Sequence, residues 1–306
     1  MQNPATDPSP LTTGQSGRDL KQILASGAAL IADGAAGTML MSAGLPAGSP
    51  PEIWNVEQPE KILSLHSAYL QAGSQIILTN TFGGNRMKLA KAGLEERVRE
   101  LNLAGARLAR QAAGPERFVA GDIGPTGELM EPFGPLTYEA AFEVFSEQAA
   151  ALAEGGVDAV WVETMTDLEE ARAAVSAALQ VTGLPVLLSM SFGRRGRTMM
   201  GVSAKQAAEE LWPLGLTAIG ANCGEGLQVV SEVLQQMSSV LPGAPLIAKP
   251  NAGLPVIVDG QAVYDTGPQD FARQVVAYVD QGARIVGACC GSSPDFIAAI
   301  AAALQG

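Results

Sequence analysis

Three cysteines, Cys223, Cys289 and Cys290, are the residues of this chain best suited to bind a metal ion. Their number is odd and two of them are adjacent, which does not favour a framework of disulfide bonds. Glycines surround them in the segments GANCGEG and GACCGS, which lets backbone approach a ligand closely and is not typical of strand interiors. Free cysteine is also a common core residue, so a purely structural role is the alternative. We favour a zinc site.

Three protein thiolates leave one position of a tetrahedral zinc ion open, which is typical of catalytic rather than structural sites. The only histidine, His66, lies with Leu63, Tyr69 and Leu70 on a predicted amphipathic helix and is predicted to be structural. A free thiol has a pKa of about 8.5 and is mostly protonated at pH 7, whereas zinc deprotonates a coordinating thiol. The site is therefore predicted to activate a thiol substrate for attack on an electrophilic carbon.

Alternating apolar segments and Ala- and Leu-rich stretches with helical spacing predict a parallel sheet. The predicted strands are residues 29–34, 74–80, 117–124, 157–164, 184–191, 216–223, 244–251 and 283–290. Helices are predicted over residues 59–73, 94–114, 137–156, 167–183 and 268–282. Eight strand–helix units fit a single (β/α)8 TIM barrel of the α/β class. An open doubly wound sheet is the alternative, because a strand count does not prove closure.

Composition and charge narrow the class of protein. The chain has 306 residues, 47% of them hydrophobic and 16% charged, which predicts a globular fold. Residues 1–18, rich in Pro, Ser, Thr and Gly, are predicted to be a disordered tail, and residues 19–306 one barrel domain. The net charge of −12 predicts a surface that repels phosphate backbones, and no Lys/Arg cluster is expected to offer a local exception, so nucleic acid is not expected as a partner. No membrane span or signal-peptide pattern is present, so a soluble cytoplasmic protein is expected.

The predicted strands end in polar residues, and in a TIM barrel the active site forms at that end of the strands. These residues are Asp33, Asn80, Thr81, Asp122, Glu163, Thr164, Ser191, Asn222, Asn251 and the three cysteines. They are predicted to line one pocket, at whose mouth the barrel brings the three thiols together.

Seven motifs carry a family resemblance. They are DGAAGTML (33–40), ILTNTFGGNRMKL (77–89), GDIGPTGELMEPFG (121–134), ETMTDLEEARAA (163–174), ANCGEG (221–226), PNAGLP (250–255) and GACCGSSP (287–294). In identity, order and spacing the chain resembles the homocysteine S-methyltransferase family from about residue 20 to its end. The resemblance implies a TIM barrel, L-homocysteine as substrate, and a zinc ion held by Cys223, Cys289 and Cys290.

The resemblance also implies a homocysteine pocket. Backbone N–H groups around Ala36, Gly37 and Thr38 are expected to bind the substrate carboxylate. Asp33, at the base of that loop, either contacts the substrate or braces the loop, and Glu163 is expected to face the substrate ammonium. The residues expected to brace the site rather than bind directly are Asn80, Thr81, Asp122 and Asn222. Arg86 is interpreted either as a helix-surface residue or as a contact to an incoming donor domain.

The methyl donor is expected to arrive from outside, because the chain stops soon after GACCGSSP. Residues 121–134 resemble the corrinoid-dependent branch and favour methylcobalamin or another methylcorrinoid on a separate corrinoid protein. A small donor such as betaine or S-methylmethionine is the alternative, and a non-enzymatic zinc-dependent thiol-binding module is a further one. The loops 41–58 and 124–137 are predicted to be fixed rims that leave the mouth open to a weak, small and polar docking contact.

Overall fold

The computed structural model describes residues 19–258 and 261–305. The tail predicted over residues 1–18 lies outside the described residues. The strands are β1 Leu30–Ile31, β2 Ile76–Leu78, β3 Phe118–Ile123, β4 Ala159–Met165, β5 Val186–Met190, β6 Ala218–Cys223, β7 Leu246–Pro250, β8 Pro255–Val258, β9 Gln261–Tyr264 and β10 Ala283–Val286.

Eight of these strands form one parallel sheet in the order β1-β10-β7-β6-β5-β4-β3-β2. A parallel bridge between Ala32 and Ile76 joins the two ends of this sheet, and the Gln75 N–H donates to the Ile31 carbonyl beside it. The sheet therefore closes into a barrel. The predicted TIM barrel is confirmed, and the open doubly wound alternative is wrong.

Helices cover the outside of the barrel. They are α1 Leu20–Ala25, α2 Ala36–Ser42, α3 Trp54–Glu57, α4 Pro59–Gln71, α5 Arg86–Ala90, α6 Val98–Ala113, α7 Tyr138–Glu154, α8 Leu168–Thr182, α9 Ala204–Leu211, α10 Leu227–Val240, α11 Pro268–Asp280 and α12 Pro294–Gln305. Capping residues determine where several of these helices begin and end. In α8, for example, the Asp167 carboxylate caps the first turn and Gly183 ends the helix in the left-handed conformation.

The barrel interior is filled by inward-facing side chains from all eight strands. Trp161, Leu187, Ile247 and Ile285 belong to this cluster and are fully buried. Leu20 and Leu24 of α1 join the cluster, so this helix covers the amino-terminal end of the barrel. A second and larger apolar cluster lies between strands and helices. A filled interior leaves the carboxyl-terminal mouth as the place for a site.

Two features near the mouth were not predicted. The hairpin β8–β9 lies between β7 and α11, and its strands pair antiparallel from Pro255–Tyr264 to Val258–Gln261. The last barrel strand also ends at Val286, so Cys289 and Cys290 lie in the turn after it rather than at its end. Within the described ranges, no helix combines the length and hydrophobicity that crossing a membrane requires.

Candidate metal centre and substrate pocket

The three cysteines meet at the carboxyl-terminal mouth of the barrel. Cys223 is the last residue of β6, and Cys289 and Cys290 follow β10. The Sγ atom of Cys223 lies 2.9 Å from that of Cys289 and 3.7 Å from that of Cys290, and the remaining pair is 4.0 Å apart. Cys289 is buried, Cys223 half-buried and Cys290 exposed. The cluster therefore has one face protected and one face open.

This cluster has the dimensions of a zinc site. In a tetrahedron with zinc–sulfur bonds of about 2.3 Å, the sulfur atoms lie roughly 3.8 Å apart. Two of the three separations match, and the shorter one, between Cys223 and Cys289, exceeds the about 2.05 Å of a disulfide bond. Over the described ranges, no other group of three His, Cys, Asp or Glu residues has metal-binding geometry. The donor set fits a zinc ion with one open coordination position.

The charge of the cluster also calls for a cation. Hydrogen bonds from the other two thiols lower the pKa of Cys290 to about 3. Hydrogen bonding to Cys289 and Cys290 raises the pKa of Cys223. One thiolate therefore forms readily, whereas each further thiolate places like charge beside it. A divalent cation supplies the positive charge that three adjacent thiolates need.

Two non-glycine residues beside the cluster adopt the left-handed conformation. Cys223 has φ +56° and Thr164, which follows Glu163 near the end of β4, has φ +63°. Such backbone costs about 1–2 kcal/mol per residue and persists where surrounding contacts enforce it. At Thr164 these contacts come from the side chain of Asn222.

Asn222 is fully buried and uses both ends of its amide. Its Oδ1 accepts hydrogen bonds from the Thr164 N–H (2.8 Å) and the Ser189 hydroxyl (2.7 Å), and its Nδ2 donates to Thr164 Oγ1 (2.7 Å). The Ser189 hydroxyl in turn accepts from Trp161 Nε1 at 3.0 Å. Asn222 Nδ2 also lies 4.0 Å from Cys289 Sγ. This chain of bonds ties the interior of the barrel to the thiols and to the turn after Glu163.

A cavity of about 620 Å³ opens at the mouth and reaches the thiols. Its lining includes all three cysteines, most of the sequence-predicted site residues, and residues from the loops after β1, β2 and β7. Predicted site residues in the lining are Asp33, Ala36, Gly37, Thr38, Asn80, Thr81, Asp122, Glu163 and Thr164. Asn222 lies beneath the lining, and Ser191 and Asn251 are outside it.

The floor of the cavity holds a buried ion cluster. Lys249 Nζ lies 3.2 Å from Asp33 Oδ1 and 3.9 Å from Glu163 Oε2, and all three side chains are at most 9% exposed. Burial raises the pKa of Glu163 to about 7, although Lys249 opposes that shift. Burial alone would lower the pKa of Lys249, but Asp33 and Glu163 outweigh it and raise that pKa. No hydrogen-bond donor within the described ranges reaches Glu163 Oε2, which can therefore accept a hydrogen bond from a ligand.

Asp33 contacts both neighbouring backbone and the buried lysine. Its Oδ2 accepts the Leu78 N–H at 2.8 Å, and its main-chain carbonyl accepts the Ala288 N–H just before the cysteine pair. Its Oδ1 forms an ion pair with Lys249 at 3.2 Å. Asp33 therefore braces the loops at this end of the barrel and also lines the cavity, while contact between Asp33 and the substrate stays a prediction.

The side chain of Asp122 does not make the bracing contacts that were expected of it. Within the described ranges its carboxylate makes no hydrogen bond, although only 6% of the residue is exposed and it lines the cavity. Burial, with Glu163 adding to it, raises its pKa well above the usual value. The contacts that tie this residue to its neighbours are made by its backbone, which bonds Thr79 and Thr81.

Asn80 and Thr81 hold loops in place. Asn80 Nδ2 donates to the Pro51 carbonyl and to Asn55 Oδ1, and Thr81 Oγ1 donates to the Asp122 carbonyl. These bonds fix the segment after β1 against the ends of β2 and β3. Their geometry is that of braces.

The first turn of α2 forms one wall of the cavity. Ala35 precedes the helix and provides no side-chain cap, so the N–H groups at Ala36, Gly37 and Thr38 have neither a cap nor an intrahelical partner. Two contacts join this turn to the cysteine loop. The Ala35 N–H donates to Ser292 Oγ at 3.0 Å, and the Gly291 N–H donates to Thr38 Oγ1 at 3.4 Å.

Lys249 is the main site residue that sequence reasoning missed. The available signal was a single lysine inside the apolar strand segment APLIAKPN, since a buried lysine requires a charged partner. Two other interpretations can be placed. His66 is 2% exposed and lies away from the cavity lining. Arg86 makes two hydrogen bonds to Glu147 and one to Glu96 at the surface.

Known proteins are similar to this chain in sequence. A family model described as homocysteine S-methyltransferase matches residues 30–304. Methionine synthases from Mycobacterium leprae (strain TN) and Mycobacterium tuberculosis (strain ATCC 25618 / H37Rv) are 33% and 32% identical over 304 residues. Each match covers 94% of this chain but 25% of the relative, so the chain spans about a quarter of their length.

Among solved structures, the metallated form of the Escherichia coli homocysteine methyltransferase MmuM is 25% identical with a TM-score of 0.75. That similarity covers 90% of this chain and 96% of the other. The oxidized form of the same enzyme is 26% identical with a TM-score of 0.74, over 90% of this chain and 95% of the other. From the family match and the folded site together, the chain belongs to the homocysteine S-methyltransferase family.

Proposed function

We propose that this protein transfers a methyl group to the thiolate of L-homocysteine, producing methionine, at a zinc ion held by Cys223, Cys289 and Cys290. The observation that carries the proposal is one cavity lined both by three clustered thiols and by a buried excess of carboxylates. Family membership supports the reaction class.

The cavity has groups for each end of an α-amino acid. The buried ionisable residues of the lining are four carboxylates, Asp33, Glu52, Asp122 and Glu163, and one ammonium, that of Lys249, while Lys88 and Lys91 line the cavity with more exposed side chains. Among the described residues, Glu163 Oε2 has no hydrogen-bond donor. A substrate ammonium would supply that donor and balance the charge. The unpaired N–H groups of the first turn of α2 would receive the substrate carboxylate.

Zinc in this site would bind the substrate sulfur at its open position and keep it as a thiolate, which is the reactive nucleophile. The three cysteines would hold the metal, and Asn222, the residue before Cys223, ties the end of β6 to Thr164 and approaches Cys289. The substrate sulfur then bonds to the methyl carbon through its lone pair. The bond from that carbon to the donor breaks, and its electron pair leaves with the donor.

A methylcorrinoid on a separate protein is the donor we propose. The segment 121–134, which resembles the corrinoid-dependent branch, consists of the end of β3 and the loop that follows it. Betaine and S-methylmethionine are the small-donor alternatives. A non-enzymatic thiol-binding module is a weaker candidate, because the cluster fits a metal with one position open to a reactant.

Metal analysis and a donor screen test this function. We expect about one zinc ion per chain, lost in single Cys223→Ala, Cys289→Ala and Cys290→Ala variants. With homocysteine present, we expect methionine from methylated corrinoid protein, slower formation from free methylcobalamin because it lacks positioning, and none from betaine or S-methylmethionine. Full zinc content in all three variants would refute the metal site. Turnover with the small donors alone would refute the corrinoid donor.

A further inference from the structure

A second cavity, of about 510 Å³, lies at the amino-terminal end of the barrel. We call it the amino-terminal cavity. Its lining comes from α1 and from residues at the starts of β6, β7 and β10, which are neighbours in the sheet. It shares no lining residue with the cavity that reaches the thiols. The two cavities therefore lie at opposite ends of the same strands.

The charge of the amino-terminal cavity is opposite to that of the chain as a whole. The chain has a net charge of −12, yet the described residues that line this cavity include Lys21 and Arg284 and no Asp or Glu. Lys21 is exposed and Arg284 is half-buried, and within the described ranges neither side chain forms an ion pair. Two cations without carboxylate partners attract an anion to this opening.

Arg284 is placed at the cavity by an irregularity in its strand. The register of β10 against β7 shifts between Ala283 and Ile285, so Arg284 is the extra residue of a β-bulge. A bulge turns a side chain out of the normal alternation, and bulges are common beside functional sites. Arg284 Nη1 donates to the carbonyls of Val279 at 3.2 Å and Ala283 at 2.9 Å. These bonds fix the guanidinium and leave its Nε and Nη2 donors for a ligand.

Thr217 adds a hydroxyl group to the lining. It directly precedes β6 and is 8% exposed, and its Oγ1 has no hydrogen-bond partner among the described residues. A buried hydroxyl without a partner is costly, so a ligand that supplies the partner is favoured.

The remainder of the lining is apolar or has no side chain. Leu24 and Leu216 are buried, and Pro245 completes an apolar wall. Gly27 and Gly243 are also in the lining, and each has open space where a Cβ would lie, so no side chain covers the backbone there. A cavity of this size with an apolar wall and a few polar groups is typical of sites for small organic molecules.

We infer that the amino-terminal cavity binds a small organic anion with two negative charges, a phosphate monoester or a dicarboxylate, through Lys21, Arg284 and Thr217. Two negative charges balance the two cations. The forked donors of a guanidinium match the oxygen atoms of phosphate and carboxylate groups equally, and the threonine hydroxyl can donate to either. The apolar wall receives the organic part of the ligand. This site lies apart from the proposed methyl transfer, because its ligand does not reach the thiols.

Calorimetry at pH 8 with phenyl phosphate and with phthalate tests the site. Both probes are aromatic dianions, so the comparison separates phosphate from carboxylate recognition. We expect at least one of them to bind at one ion per chain. The double variant Lys21→Gln, Arg284→Gln should weaken that affinity by about tenfold or more, because it removes both charged donors. Binding of phenyl phosphate alone would identify a phosphate site, and binding of phthalate alone a carboxylate site.

A second variant keeps every charge in place. Arg284 also holds two backbone carbonyls, so its replacement can disturb the fold. Thr217→Val has nearly the same shape as the wild type and removes only a hydroxyl that has no partner among the described residues. It should weaken the affinity about fivefold, the effect of one lost hydrogen bond, without lowering the thermal unfolding temperature of the free protein.

The matched control is Lys88→Gln, Lys91→Gln, which removes two lysines from the lining of the other cavity. This control should keep the affinity of the wild type to within about twofold, since these lysines do not line the amino-terminal cavity. Affinity lost in the control and kept in Lys21→Gln, Arg284→Gln would place the anion at the mouth and overturn the inference. Failure of both probes to bind, or equal affinity in all variants, would overturn it as well. Methyl transfer is not measured in this test, so neither result bears on the proposed function.

Discussion

At the scale of single residues, the buried part of the pocket lining has more carboxylates than its one buried lysine neutralises. Lys249 lies between Asp33 and Glu163, while the Asp122 carboxylate has no partner in the described part of the chain. Burying uncompensated carboxylates is costly, so such an excess is retained where a cationic ligand completes it. An amino-acid ammonium is the ligand that the proposed reaction brings.

The first prediction concerns Glu163→Gln. This change keeps the shape of the side chain and removes the charge that we propose to pair with the substrate ammonium. Homocysteine affinity should fall by roughly 2–5 kcal/mol, the usual effect of breaking a buried charge pair, while zinc content stays normal. Calorimetry measures the affinity. Glu170→Gln is the control, because Glu170 is also buried but bonds Thr126 outside the cavity lining. Unchanged affinity in Glu163→Gln would contradict the assigned role.

The second prediction concerns Asn222→Ala. Because Asn222 supports the left-handed Thr164 and approaches Cys289, its loss should weaken zinc binding 10–100-fold, as is typical for groups that orient metal ligands. Competition with a chelator measures this. Asn55→Ala is the control, since Asn55 is an equally buried amide that bonds Asn80 rather than the thiol loops. Similar zinc affinities in both variants would show that Asn222 acts only through stability.

The residue scale also shows what a sequence can predict. The cysteines could be predicted as metal ligands from the sequence, because a thiol in such a Gly-rich segment has few other roles. Lys249 was missed because a lone lysine in a strand carries no motif, and its partners Asp33 and Glu163 are distant in sequence. The left-handed backbone of Thr164 has no sequence signal, since it depends on an amide from another strand.

At the scale of elements, strand and helix periodicity predicted the barrel. The structure differs from the prediction in the segments that follow barrel strands. The hairpin β8–β9 was missed although PVIVDGQAVY places Asp-Gly between two apolar runs, which is a hairpin signal. The hairpin matters to the site. Tyr264 of β9 lines the cavity and lies so close to Gly291 that a Cβ there would be 2.3 Å from its ring.

The third prediction uses this contact. Gly291→Ala adds a clash with Tyr264 to the strain of φ +81°, directly after Cys290, and should reduce zinc content as well as stability. Gly243→Ala is the matched control, because Gly243 has φ +82° with open space around its Cβ position. It should cost about 1 kcal/mol of stability and leave zinc content intact. Elemental analysis and thermal unfolding separate the two effects, and equal zinc content in the variants would refute the contact's importance.

At the scale of the whole molecule, burial shifts ionisable groups in opposite directions. It raises the pKa values of Asp33, Glu52 and Asp122, so these carboxyls favour the folded state at low pH. It lowers the pKa of His66 to about 4, so this imidazole opposes folding in acid. The balance between the contributions of these carboxyls and of His66 sets how stability depends on pH. A single variant can isolate the contribution of one group.

The fourth prediction isolates His66. Its unfolded-state pKa is about 6.5, so below that pH the unfolded chain takes up a proton that the folded protein resists until about pH 4. The stability that the neutral His66 imidazole contributes is therefore lost as the pH falls from about 6.5 to about 4. Between pH 7 and pH 5 the free energy of unfolding of the wild type should fall by about 2 kcal/mol more than that of His66→Gln. Denaturant titration at the two pH values measures the difference, in which contributions from the shared carboxyls cancel. Parallel pH dependence in the two proteins would show that His66 is protonated with little cost in the folded state. A larger loss in the variant would reverse the sign that burial requires.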